Sequence, residues 1–368
     1  MLPALVWSED LLAYDFGPGH PMDSLRLRLT RDLVASLRLD ARLSLLSPRI
    51  ADDDELALVH EPAYIAGVRA ASEHGTPDVS RGLGAHGEEM ADTPVFPGMH
   101  EAAARLVGGT IEAVRAVAGG RAPRAVFFAG GMHHAMPGAA AGFCVYNDAA
   151  VAIADHLARG GGDVVYIDLD VHHGDGVERA FAQDPRVTCV SVHQHPRSLF
   201  PHTGYSQDVA CGNAVNLPLP EDVDDSGWVR AVEAVVEPVL REVRPSLVVS
   251  QHGADPHRND PLGGLGLSVE ALTEGARLIR SCAERFSGGR WVALGGGGYD
   301  VADAVPRAWA ALVAVVADVE VPAALGDGAV VRWCPYAEGH DPADRVDRAI
   351  TATRNAAFPN LGLDPLTA

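Results

Sequence analysis

The chain has 368 residues, a formal net charge of −20 and 47% hydrophobic residues. That length suits one large α/β domain, and the apolar fraction is ample for a sizeable core. So acidic a surface repels nucleic acid phosphates and favours cationic partners.

All 29 basic residues are arginine, in a chain also rich in Ala and Gly, which reads as compositional bias. Five cysteines are scattered with no CxxC pair, so neither a disulfide framework nor a Cys-rich metal site is expected. The first ten residues, MLPALVWSED, lack a basic segment followed by an apolar one, so no leader peptide is expected. The longest apolar stretch, residues 309–317, falls well short of the ~18–20 needed to span a bilayer. A soluble, cytoplasmic protein is the expectation.

In chain order, residues 2–7 read as a first strand and 25–37 as a helix. Helical spacing covers 60–72 and 100–118, the second stopped by Gly119-Gly120. Short β-branched or apolar runs follow at 125–129, 164–169, 187–192, 247–251 and 291–294. Between and after them lie helical patterns at 148–158, 176–182, 228–243, 269–286 and 302–316. Apolar strands alternating with helices predict a parallel sheet covered on both faces. Residues 75–97 and 193–213 read as long polar loops. No linker or repeat splits the chain. Residues 1–320 form the expected domain, and 321–368 a Pro- and charge-rich extension with one helix near 342–355.

Five of these strands run into residues capable of chemistry: GGMHHAMPG, DLDVHHGDG, HQH, HGADPHRNDP and GGGGYD. In an open parallel sheet the carboxyl ends of the strands line one crevice, so these segments are expected to converge. Asp170 and His172 alternate along an extended strand end and therefore point the same way. With Asp255 they make a two-carboxylate, one-imidazole set, which leaves coordination positions open as in a catalytic metal site. An ion explains the buried carboxylates; an ion-free polar network is the alternative. His133 and His134 can both face the cavity, with Asp168 and Asp175 placed to fix their tautomers. Gly295–Gly298 reads as a flexible loop presenting Tyr299, a plain tight turn being the alternative. A phosphate cradle fits less well, because no GK[ST] follows.

The segments GGMHHAMPGAAAGFCVYND, YIDLDVHHGDGVERAF, QHGADPHRNDPLGGL and LGGGGYD resemble the zinc-dependent histone deacetylase superfamily. FGPGHPM, ADTPVFPGMHEAA and SVHQHPRSLFPHTG extend the likeness, which is greatest to the bacterial acetoin-utilisation branch, close to class I. The resemblance spans residues 2–317 and leaves the tail uncovered.

It implies a single-domain arginase/deacetylase-like α/β fold with about eight parallel strands and helices on both faces. It also implies removal of acetyl or other acyl groups from lysine side chains by metal-activated water. Asp170, His172 and Asp255 would hold Zn²⁺ or Fe²⁺. His133, paired with Asp168, would be the general base, and His134, paired with Asp175, the general acid or electrostatic partner. Tyr299 would polarise the acyl carbonyl and bind the oxyanion. Gly131, Gly297, Phe143, Phe200 and Asp92 would bind substrate, the two phenylalanines as walls of a narrow tube and Asp92 at its rim. A structural K⁺ would sit among Asp168, Asp170, His172, Ser191 and Val192, largely on backbone oxygens. Arg26 and Met132 would line an acetate-release channel.

Three positions depart from the pattern of many relatives: Met132 (often Trp), Leu199 (often aromatic) and His202 (often Gly). They bear on channel and rim shape. An acetylated protein or peptide is the favoured substrate. An acetylpolyamine or other small acetyl-amine is the runner-up, and a two-manganese ureohydrolase or a non-catalytic acyl-lysine reader stands further off.

Overall fold

The computed structural model describes residues 1–85 and 92–367. Its frame is one eight-stranded sheet with every pairing parallel. In chain order the strands are β1 (Ala4–Val6), β2 (Ser44–Leu46), β3 (Arg124–Phe127), β4 (Val164–Asp168), β5 (Val187–Gln194), β6 (Ala214–Leu219), β7 (Leu247–Gln251) and β8 (Trp291–Leu294). Their spatial order is β2-β1-β3-β8-β7-β4-β5-β6. A separate two-stranded ribbon joins Leu83–Gly84 to Thr93–Pro94.

Every residue of β4, β5, β6, β7 and β8 is buried. Such strands need helices on both faces. The helices fall into two contacting sets. One contains α2 (Pro62–His74), α3 (Met99–Ala118), α4 (Asp148–Ala158) and α5 (Asp175–Phe181). The other contains α1 (Leu25–Ser36), α6 (Asp225–Val243), α7 (Val269–Phe286), α8 (Ala304–Ala317) and α9 (Arg345–Ala357). Local signals set their limits. Pro62 opens α2, and Gly75 closes it at φ +65°. Asn147, Asp224, Ser268 and Asp344 cap α4, α6, α7 and α9 through their side chains. The indoles of Trp291 and Trp309 are buried, and each N–H finds a partner: Ser250 Oγ at 2.6 Å and the His252 carbonyl at 2.9 Å.

The predicted alternation and parallel sheet are present. Two strands of the eight-stranded sheet escaped the sequence reading, for physical reasons, and the two-stranded ribbon falls within the expected loop 75–97. β2 has only three residues. β6 contains Pro218, which argues against a central strand but is tolerated at the sheet edge, where β6 lies. Beyond Ala317 the chain turns back on that edge. Ile350 and Phe358 are fully buried, Thr353 Oγ1 donates to the β6 carbonyl of Asn216 (2.7 Å), and Arg230 Nη2 of α6 pairs with Asp347 (2.6 Å). No helix among the described residues is long and apolar enough to cross a membrane.

The strands whose ends carry the polar motifs, β3, β8, β7, β4 and β5, are contiguous in the sheet. Topology alone therefore brings their carboxyl ends together.

Candidate active site

Asp170, His172 and Asp255 meet just beyond the ends of β4 and β7. Their ligand atoms lie within 4.8 Å of one another, and both carboxylates are buried. His172 Nδ1 is 3.0 Å from Asp170 Oδ1 and 3.2 Å from Asp255 Oδ2. The remaining carboxylate oxygens are tied down. Asp170 Oδ2 accepts from Gln251 Nε2 (2.6 Å) and the Gly297 N–H (2.8 Å), and Asp255 Oδ1 accepts from the Val171 N–H (3.0 Å). Each carboxylate thus turns one oxygen outward to scaffold donors and one toward the shared point.

Gly297 is required by this close approach: a Cβ there would stand 2.0 Å from Asp255 Oδ2 and 2.9 Å from Asp170 Oδ2. Burial and the neighbouring Asp170 charge push the Asp255 carboxyl up. Burial opposes charge on His172, but hydrogen bonds and charge from Asp170 and Asp255 outweigh it and raise the ring to about 10. A proton held between two buried carboxylates marks a place where a cation is wanted. A divalent ion fits the donor set, with oxygen and nitrogen donors and no thiolate.

His133 and His134 follow β3. His133 Nδ1 is 2.8 Å from Asp168 Oδ2, and His134 Nδ1 is 2.7 Å from Asp175 Oδ1. Their Nε2 atoms are 2.8 Å apart, so one must donate and the other accept. With both Nδ1 atoms donating to carboxylates, the pair holds one extra proton. Burial disfavours that charge, but Asp168, Asp170 and Asp175 together raise His133 to about 9. Burial and then the His133 charge lower His134 to about 4. The extra proton therefore rests on His133, whose Nε2 is 3.9 Å from Asp170 Oδ1.

Aromatic rings frame these groups. Phe200 meets His134 edge-on at 5.0 Å and His172 at 6.3 Å. Phe143, at φ +65°, meets Tyr299 at 5.7 Å and His20 at 4.7 Å. Tyr299 is held by its N–H, which donates to Asp260 Oδ2 (2.7 Å). Burial, then Asp255 and Asp170, push its phenol well above the ordinary range, so it stays a hydrogen-bond donor. Asp92 accepts from the Gly142 N–H beside Phe143 (2.9 Å).

The structure thus brings the metal set, both histidines, Tyr299, Phe143 and Phe200 into one region. Gly131 lies in the same turn at φ +100°, its carbonyl accepting the His133 N–H at 2.9 Å. Arg26 is buried behind the Tyr299 loop. It donates to the carbonyls of Gly296 (2.9 Å) and Gly298 (3.1 Å) and packs over Trp309 at 5.0 Å. Met132 is buried, with its N–H on Asp148 (2.7 Å). Ser191 pairs with Asp168 in register, and its hydroxyl lies 2.9 Å from His193 Nδ1; Val192 is buried beside it.

Several supporting residues were not singled out from sequence. Asp148 is wholly buried and accepts from Thr110 Oγ1 (2.5 Å) and from the N–H groups of Gly131 (3.0 Å) and Met132 (2.7 Å). Asn147 donates to the carbonyls of His133 (3.2 Å) and Ala135 (3.1 Å). Together they clamp the His-His turn. The visible signal was a helix-capping Asn-Asp directly before an apolar helix. Tyr166 donates to Asp168 Oδ2 (2.7 Å), buttressing the carboxylate behind His133. Gln251 and Asp260 carried weaker signals, a polar strand end and the second acid in HGADPHRND.

Comparison with known proteins agrees with this geometry. The family profile of the histone deacetylase domain matches residues 20–316. The acetoin utilization protein AcuC of Bacillus subtilis (strain 168) is 38% identical over 92% of this chain and 90% of its own length. AcuC of Staphylococcus xylosus is 34% identical over 90% and 87%. A crystal structure of a histone deacetylase homolog complexed with SAHA superposes with a TM-score of 0.77 at 30% identity, covering 88% of this chain and 86% of that one. A buried Asp/His/Asp set, a carboxylate-braced histidine pair and this likeness over nine-tenths of the chain lead to one conclusion: the chain belongs to the histone deacetylase family, in its acetoin-utilisation branch, and is a metal-dependent hydrolytic deacetylase.

Proposed function

We propose that the substrate is an acyl-lysine side chain in a protein or peptide, and that the ion is Zn²⁺ or Fe²⁺. The observation that carries this reading is the placing of two carboxylate-braced histidines against the metal set, with aromatic rings on either side. An ion held by Asp170, His172 and Asp255 supplies Lewis acidity toward the acyl carbonyl and a water.

The chain's own groups do the rest. His133, its Nδ1 held by Asp168, takes the proton of the attacking water at Nε2. His134, held by Asp175, supports that charge, and the pair returns a proton to the leaving amine, which leaves poorly without one. Tyr299 donates its hydroxyl to the oxygen where negative charge develops. Phe143 and Phe200 enclose the apolar lysine stem, Asp92 grips the substrate at the rim, and the Gly131 carbonyl accepts from the substrate amide.

A structural K⁺ on Asp168, Asp170, His172, Ser191 and Val192, and acetate release past Arg26 and Met132, belong to the same reading. So do a catalytic body over residues 1–320 with 321–368 packed on it. Cytoplasmic residence is inferred from five cysteines that form no disulfide.

The test is turnover of an acetyl-lysine peptide against N-acetylspermidine by zinc-loaded protein. The peptide should give the higher kcat/KM, and Tyr299→Phe and His134→Ala should each lower kcat by about 100-fold or more. Preference for acetylspermidine would move the substrate to small acetyl-amines.

A further inference from the structure

One carboxylate outside the region matched by the family reaches the catalytic loop. Asp327 lies in the extension after α8. Glu270, in the first turn of α7, fixes its backbone by accepting from the N–H groups of Asp327 (3.0 Å), Gly328 (2.8 Å) and Ala329 (3.0 Å). Asp327 Oδ1 accepts from Arg307 Nη1 of α8 (2.7 Å), and Oδ2 accepts from the Val269 N–H (2.9 Å) and meets His257 Nε2 at 3.0 Å.

His257 is 1% exposed and sits midway along the loop from Asp255 to Asp260. Its Nδ1 accepts the Asn259 N–H (3.2 Å), so Nε2 carries the hydrogen that it donates to Asp327. Its backbone completes the loop: its N–H donates to Ala254 O (3.1 Å), and its carbonyl accepts from the Asp260 N–H (2.9 Å). Both ends of this loop serve the site. Asp255 is a metal ligand, and Asp260 holds the Tyr299 N–H.

We propose that Asp327 is a positioning residue: acting through His257, it sets the loop that places both Asp255 and Tyr299. The extension is then a working part of the active site. This inference rests on the metal-site reading above. Catalytic geometry tolerates little displacement, so a loosened loop should lower kcat more than substrate binding.

The test uses the full chain with Asp327→Ala, His257→Leu and, as a control, Arg307→Ala. The control loosens the same tail segment but leaves the His257–Asp327 bond. Three readouts apply: kcat and KM on the acetyl-lysine peptide, the visible absorption of the Co²⁺-loaded protein, and Tm. Asp327→Ala and His257→Leu should each lower kcat about tenfold or more with KM within about twofold, and both should shift the Co²⁺ spectrum. Arg307→Ala should lower Tm while leaving kcat and spectrum as in the wild type. Should Asp327→Ala fail to fold, His257→Leu decides from the loop side. Equal behaviour of all three variants in kcat and spectrum would overturn the proposal and leave Asp327 a stability residue. If the wild type does not cleave the peptide, the acyl-lysine reading fails, while the Co²⁺ spectrum still decides the role of Asp327.

Discussion

Two groups of carboxylates in this protein are neutralised in opposite ways. At the far side of α3 and α4, Asp155 and Glu55 are matched by arginines: Arg115 bridges both at 2.7 and 2.8 Å, Arg159 reaches Asp155 at 3.0 Å, and Arg49 reaches Glu55 at 2.6 Å. At the ends of β4 and β7, Asp168, Asp170 and Asp255 are fully buried, yet among the described residues no arginine pairs with them. Their hydrogen-bond partners among the described residues are histidines, backbone N–H groups, Gln251 and Tyr166. A permanent guanidinium would fill the place of a metal ion. Leaving such carboxylates without one keeps the site available to a cation, at the expense of stability in its absence.

The sharpest way to break this contrast is Asp170→Asn. It should abolish tight metal binding and lower deacetylation by about 1,000-fold or more. Differential scanning should show the wild type gaining Tm with added Zn²⁺ and the variant gaining none, because only a ligand bound to the native state stabilises it. A variant that still gained Tm would remove Asp170 from the ligand set.

A middle-sized effect comes from histidines buried without any carboxylate. Burial lowers His60 to about 4 and His252 to about 3. Their unfolded forms titrate near 6.5 and take up protons first as pH falls. Their contribution is thus complete above about pH 6.5 and is lost progressively toward the folded values. Each should remove about 2 kcal/mol by pH 5. Denaturant midpoints at pH 7 and pH 5 check this, and His60→Gln should flatten the dependence.

The smallest effect is expected where arginine already does the neutralising. Arg159 is more than half exposed, so Arg159→Ala should change stability by less than about 1 kcal/mol and leave kcat unchanged.

How much of this was legible in the sequence depended on distance along the chain. Asp170 and His172 were legible by their spacing after an apolar strand, although β4 stops at Asp168 and a bend, not strand alternation, sets their direction. Tyr299 was legible because four glycines precede it. The strand runs placed five motifs at the ends of a parallel sheet, and the central five strands do lie side by side. The supporting bonds were not readable. Gln251 reaches Asp170 across 81 residues, and Asp148 reaches back 16 residues to the Met132 backbone. No local pattern encodes such a partner. The tail read as an appendage because its sequence is polar, yet its buried Ile350, Phe358 and Asp347 pack it against β6 and α6.

The central claim is that Asp170, His172 and Asp255 form one working cation site. The most direct measurement strips the protein with a chelator and then titrates Zn²⁺ while following both binding and acetyl-lysine hydrolysis. The account predicts no turnover in stripped protein, recovery complete at about one ion per chain, and no recovery in Asp170→Asn. Full turnover after stripping, or equal recovery in the variant, would contradict it.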